Sequence, residues 1–306
     1  MNILTPRKAL NKAFLKQKVY REEMERFKTN LLKMLHDKNE NESEEYHKNL
    51  LSAFLKETWY KDLHFINTRE RTDLVIHEKA SSDSAPAVLI ETKKPGNKSE
   101  MPSKDDLNAK ALHELIRYYL HERVDNENKF IKHLIVTDLN AFFIFDENEF
   151  DKYVYGNRQV LKDYEEYKNS GKGTDFFYNQ VARPLVADIG DKLTFTCFEV
   201  KEFQRYLKNG DPEKEKKLIP YYKLLAPEHL LKKPFANDSN TLDRHFYNEL
   251  LHIIGLKEVK QGSQKLIQRT PEAERQPGSL VENAINILQS EDIIGYFNKK
   301  EQYGSD

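Results

Sequence analysis

Apolar and polar positions divide the chain into stretches of two different periods. From Asn11 to Leu35 the apolar residues Phe14, Leu15, Val19, Met24, Phe27, Leu31 and Leu35 recur near helical spacing in a charged background. That spacing predicts one or two amphipathic helices. The polar run from His36 to Glu45 interrupts them, and Ser43 is placed to cap a helix reaching Trp59 that carries Leu50, Leu51, Phe54 and Leu55. The period then shortens. His64–Thr68 reads as a short strand, and Thr72–His77 and Ala87–Lys93 are rich in aliphatic and β-branched residues. The segment EKASSDSAP between them reads as a hairpin connection. A helix over Asp106–Arg123 follows, with Leu112, Leu115, Ile116 and Tyr119 on its apolar face, then strands at His133–Asp138 and Ala141–Asp146. The order helix, three strands, helix, two strands predicts an α/β (α+β) fold with a mixed central sheet flanked by helices.

Beyond Asp146 the pattern is mostly helical, apart from the strand-like LTFTCFEV. A helix over Asn240–Leu256 carries Leu242, Phe246, Leu250 and Ile254 along one face, a polar loop runs from Lys260 to Ser279, and a last helix covers Leu280–Phe297. These readings divide the chain into a first domain, residues 1–170, and a mainly helical extension, residues 171–306.

Composition narrows the class. Of 306 residues, 38% are hydrophobic and 32% charged, and the 17 Phe and 16 Tyr argue for a folded core rather than disorder. The formal net charge is -1, so an anionic partner must be met by a local basic patch. A lone cysteine, Cys197, excludes an internal disulfide and any multi-cysteine metal site. The opening MNILTPRKALNKAF lacks an apolar core of signal-peptide length and no segment is apolar enough to span a bilayer, so the expectation is a cytoplasmic protein with no membrane partner.

Chemistry concentrates where two apolar runs end in charge, at Asp73 and at Glu91-Thr92-Lys93. Side chains alternate along a strand, so Glu91 and Lys93 share a face and Thr92 points the other way, leaving its backbone carbonyl near the same place. Two carboxylates on adjacent strands, Asp73 and Glu91, suit a Mg²⁺ ion, and a nearby lysine suits the charge of an attacked phosphate. Glu-x-Lys alone is weakly specific, because it also occurs at Glu127/Lys129, Glu166/Lys168, Glu199/Lys201, Glu215/Lys217 and Glu258/Lys260. Glu199/Lys201 is the serious rival, being strand-like too, but it lacks a second apolar strand with an acid at its start.

The stretch resembles the PD-(D/E)XK nuclease core, with Thr72 where the usual proline stands. The wider chain is similar to the N-terminal region of type IIG restriction–modification enzymes. The matching pieces include LTPRKALNKAFLK, ESEEYHKNLLSAFLKETWY, INTRERTDLVIH, IETKKPGNKSEM, LHELIRYYLHER, KHLIVTDLNAFFIFD and TDFFY, with NTLDRHFYNELLHIIGL and GSLVENAINIL as a helical connector. The resemblance implies a Mg²⁺-dependent endonuclease acting on double-stranded DNA, with Mn²⁺ able to substitute. Asp73 and Glu91 would bind metal with the Thr92 carbonyl, and Lys93 would position or activate water. An acid on the helix before the sheet often adds a metal ligand in such nucleases, and Glu45, ahead of Glu44, is the candidate. Methyltransferase and target-recognition parts, in the same polypeptide or another, are the implied partners, and dimerisation during cleavage is left open. The Gly-rich motif and the (Asn/Asp)-Pro-Pro-Tyr motif of those methyltransferases are absent, so no S-adenosylmethionine site is expected in this chain.

Arg69, Arg71, Lys94 and Lys98 flank the acids and are candidates for DNA phosphate contacts. Glu114 and Tyr118 resemble a Gln-x-x-x-Tyr pattern of some relatives, with Glu replacing Gln; Tyr118 is expected to pack. His77 and Cys197 read as core residues, and His121–Asp125 only faintly echoes a zinc helix. Two other readings compete: an inactive nuclease-fold module that binds DNA or acts as a scaffold, and a helical protein-interaction module in which the strands are incidental.

Overall fold

Alternation of apolar side chains builds a sheet that buries both faces. In the computed structural model, the backbone is described at residues 2–69, 72–208, 212–234, 244–261, 264–271, 274–275 and 278–289. The side chains of Arg69, Thr72 and Asp73, and a few beyond residue 211, fall outside that description. The chain divides into two compact units, Met1–Asp238 and Ser239–Asp306.

The first unit is mixed α/β. Its sheet has seven strands in the order β1-β7-β6-β5-β4-β3-β2. They are β1 (Asn2–Leu4), β2 (Ile66–Arg69), β3 (Thr72–His77), β4 (Pro86–Thr92), β5 (His133–Thr137), β6 (Ala141–Asp146) and β7 (Thr194–Glu199). β1 runs parallel to β7 and β4 parallel to β5; the other neighbours are antiparallel. Successive strand residues point to opposite faces, and the two cores follow that alternation. Leu74, Ile76, Val88, Ile90 and Ile135 join one core, whereas Val75, Leu89, Leu134 and Val136 join the other. Strands covered on both faces read as near-continuous apolar runs, which is why AVLIETK and HLIVTD stand out in the sequence.

Helices form the outer layers. After the short α1 (Pro6–Ala9) and α2 (Lys12–Lys16), α3 (Arg21–Asp37) and α4 (Glu44–Leu55) cover the first core with Phe27, Leu31, Leu51, Phe54 and Leu55. Ser43 caps α4 by accepting from the Tyr46 N–H at 3.1 Å, as its side chain and position predict. On the other face α5 (Lys110–Leu120) packs Leu112, Leu115 and Ile116 into the second core and links β4 to β5. It starts later than its sequence pattern suggests, at Lys110 rather than Asp106, and passes into a wider π turn over His121–Asp125. The strands are the centre of the unit, not an incidental part of a helical assembly.

Two differences from the sequence reading have clear causes. The boundary expected between residues 170 and 171 falls inside the first unit, because β7 lies between β6 and β1 in the same sheet. The supposed polar loop after Lys260 contributes to a hairpin, β8 (Leu256–Gln261) with β9 (Gln264–Arg269). Its ladder pairs Glu258 with Ile267 and Lys260 with Lys265, so polarity concealed the strands. The second unit also contains helices Arg244–Ile254 and Leu280–Leu288. Leu251 is buried there and Leu250 is 42% exposed, against the stripe expected through Leu250; Leu242 and the Phe246 side chain lie outside the described residues. So does the end of the last helix, expected to reach Phe297. Among the described residues, no helix is long and apolar enough to cross a membrane.

Candidate active site

Strand alternation sends Glu91 and Lys93 to the face of Leu89, toward α5. Both are buried, with Glu91 only 1% exposed and Lys93 3%. The Lys93 ammonium lies 2.6 Å from Glu91 Oε1 and 2.5 Å from Glu114 Oε2. Glu114 comes from α5, so residues of one strand and of the helix that covers it meet at a single cation. A third acid approaches from the opposite layer, Glu44 Oε1 at 3.7 Å in the first turn of α4. The parallel ladder anchors this end of β4 through the Lys93 N–H, which donates to the Thr137 carbonyl at 2.8 Å. Thr92 between these two charged residues is fully buried and lies across from Thr137.

Burial works against the charge on Lys93, but Glu91 and Glu114 more than reverse it and hold the ammonium well above the usual lysine value. Burial likewise opposes the Glu114 carboxylate; a hydrogen bond with Glu91 and the charge of Lys93 outweigh it, keeping Glu114 below the usual range. The two carboxylates therefore favour the charged form of Lys93. Lys110, one helical turn before Glu114, lies 3.9 Å from Glu114 Oε1 and pairs with Glu100 at 3.1 Å.

Asp73 occupies a backbone position next to this group. The antiparallel ladder pairs Leu74 with Ile90, and Asp73 precedes the first as Glu91 follows the second. The Asp73 and Arg69 side chains, and Arg71 altogether, lie outside the described residues. Glu45 does not join the site. It is mostly exposed and pairs with Lys48 at 2.9 Å, while its neighbour Glu44 turns toward Lys93. One residue is a rotation of about 100° on a helix, enough to exchange their surroundings. Lys94 is half-buried. Lys98 is exposed and lines a cleft of about 540 Å³ with Lys104, Asp138, Asn140, Cys197 and Glu199. Among the described residues no group of three or more His, Cys, Asp or Glu side chains is arranged to hold a metal ion.

The remaining readings resolve as packing. His77 is buried and bonds the Ser84 carbonyl at 2.6 Å and Asn67 Oδ1 at 2.8 Å. Tyr118 is buried beneath the Arg117 guanidinium, 4.7 Å from its ring centre. Cys197 is buried in β7, and burial pushes its thiol up to about 12. Lys201 pairs with Glu199 at 2.5 Å but is largely exposed beyond the strand, so the rival Glu-x-Lys lacks the burial of the first.

The profile of one family, described as Domain of unknown function (DUF7149), matches residues 4–238. The chain belongs to that family. Residues 239–306 match a second, Domain of unknown function (DUF7814), so the seam between the two profiles coincides with the seam between the compact units. The acids and lysine of the candidate site all lie in the DUF7149 unit. No curated protein and no solved structure matches the chain.

Proposed function

We propose that the DUF7149 unit is a Mg²⁺-dependent DNA endonuclease domain with a PD-(D/E)XK core, acting within a restriction–modification system of type IIG character. The observation that carries this reading is the convergence of Glu91, Lys93 and Glu114 at the end of β4, beside the backbone position of Asp73. The succession α4-β2-β3-β4-α5-β5-β6 follows the order read from the sequence, helix, three strands, helix, two strands, in a mixed sheet flanked by helices.

The donors suit a hard divalent cation. Carboxylate oxygens of Glu91, Glu114 and Glu44 already gather around a positive charge, the Lys93 ammonium. Asp73 and Glu91, with the Thr92 carbonyl, would hold Mg²⁺ or Mn²⁺. When bound, such an ion polarises a phosphate and lowers the pKa of a coordinated water. Lys93, as a cation, would stabilise charge developing on the attacked phosphate. The α5 layer keeps bulk water from Glu91 and so strengthens each charge interaction there. Double-stranded DNA is the proposed substrate, with Lys94, Lys98, Arg69 and Arg71 flanking it. Methyltransferase and target-recognition parts, dimerisation during cleavage and a cytoplasmic setting belong to the same reading.

The test is conversion of supercoiled plasmid by the full chain with Mg²⁺ or Mn²⁺. Cutting by the wild type and a loss of about a hundredfold or more in Glu91→Gln and Lys93→Ala are expected. Equal cutting by wild type and Lys93→Ala rejects the lysine's role. No cutting of single- or double-stranded DNA, together with no Mn²⁺ binding, overturns the reading.

A further inference from the structure

We infer that Glu114 is the positioning residue for Lys93, a holding place for the ammonium when a divalent cation enters at Glu91. The inference rests on the nuclease reading above.

Lys93 contacts Glu91 and Glu114 at almost the same distance, 2.6 and 2.5 Å. A divalent ion coordinated by Glu91 would lie about 2.1 Å from its oxygens, so an ammonium on the same carboxylate meets strong repulsion. Lys93 then has to give up Glu91. Its side chain is only 4% exposed, so release without another partner would leave a buried, uncompensated charge. Glu114 removes that obstacle because it already touches the ammonium and sits on α5, not on the strand that carries Glu91. Lys110 steadies Glu114 from its other oxygen at 3.9 Å. Glu44 is a poorer holding place, farther off at 3.7 Å and 38% exposed. Lys93 therefore pivots between two acids instead of being expelled. Glu114 sets how readily the cation binds without itself serving as a ligand.

The experiment is Mn²⁺ binding to the full chain, followed by the electron paramagnetic resonance of free Mn²⁺, without DNA or turnover. Glu114→Gln leaves the ammonium to compete at Glu91, and binding is expected to weaken about tenfold. Lys93→Met removes the competitor, and the double variant Lys93→Met/Glu114→Gln binds as tightly as Lys93→Met. A double variant about tenfold weaker than Lys93→Met makes Glu114 a direct ligand and overturns the inference. That comparison stands even if Glu114→Gln alone does not fold. Wild type and a folded Glu114→Gln binding equally would overturn the inference and leave the nuclease reading in place. A wild type that binds no Mn²⁺ overturns the inference, and if it also cuts no DNA the nuclease reading falls with it.

Discussion

Lys223 donates to the carbonyl of Gln17 at 2.6 Å, across 206 residues of sequence. It also donates to the Phe14 carbonyl, so it serves the carbonyls at the end of α2. Burial pulls this lysine below its usual value, yet it gives the helix end a buried donor that water cannot supply. Lys223→Met keeps the stem and removes the ammonium. Stability is expected to fall by about 2–3 kcal/mol, read as a lower urea midpoint with an unchanged slope.

Glu44 and Glu45 provide an internal contrast for the site. They are adjacent and chemically identical, but Glu44 approaches Lys93 and Glu45 pairs with Lys48. On the proposed nuclease reading, Glu44→Gln is expected to cut metal-dependent DNA cleavage about tenfold, and Glu45→Gln to leave it within about twofold. Plasmid conversion rates measure both, and the reverse order would return the role to Glu45.

Acid should loosen the first unit before its carboxylates protonate. His133 and His229 pack with ring centres 4.7 Å apart, and burial drives their pKa values down to about 4 and about 3. The unfolded chain therefore binds protons near pH 6.5 that the folded one refuses. The stability these groups contribute is present above about pH 6.5 and is lost as pH falls toward 4, on the order of 3 kcal/mol for each ring. Asp146, held at about 2 against burial by Lys232, Asn148 and His133, adds its own loss only below the usual aspartate range. Glu147, raised by burial, works in the opposite sense near its own value. Urea midpoints of wild type and His229→Gln between pH 7 and 4.5 check the slope, which should flatten in the variant.

Gly255 closes the turn between helix Arg244–Ile254 and β8 at φ +94°, and an added Cβ would lie 2.6 Å from Ser279 Oγ. That hydroxyl caps helix Leu280–Leu288 by accepting from the Glu282 N–H. Gly255→Ala is expected to destabilise the second unit by about 2 kcal/mol. Faster hydrogen exchange across β8 and β9, with the amides of β4 and β5 unchanged, is the measurable sign.

The central hairpin was legible because β3 and β4 are long, aliphatic and covered on both faces. Once β4 is a strand, Glu91 and Lys93 must share a face. The backbone neighbours Asp73 and Glu91 follow from the same hairpin. Other parts depend on tertiary contacts that no local pattern records. β1 has three residues, too few for alternation to register, and is held by parallel pairing to β7. Which of Glu44 and Glu45 faces the site depends on how α4 is rotated against the sheet. Glu114 carried a sequence signal in its spacing to Tyr118, but its value was visible only once α5 crossed β4.

Glu44, Glu91 with Lys93, and Glu114 come from three successive layers of the molecule, and none of those layers holds a complete set. The proposed site thus depends on the stacking of its own scaffold. On the proposed reading, a chain that has formed its helices and hairpins but not stacked them would carry the right residues and no assembled centre.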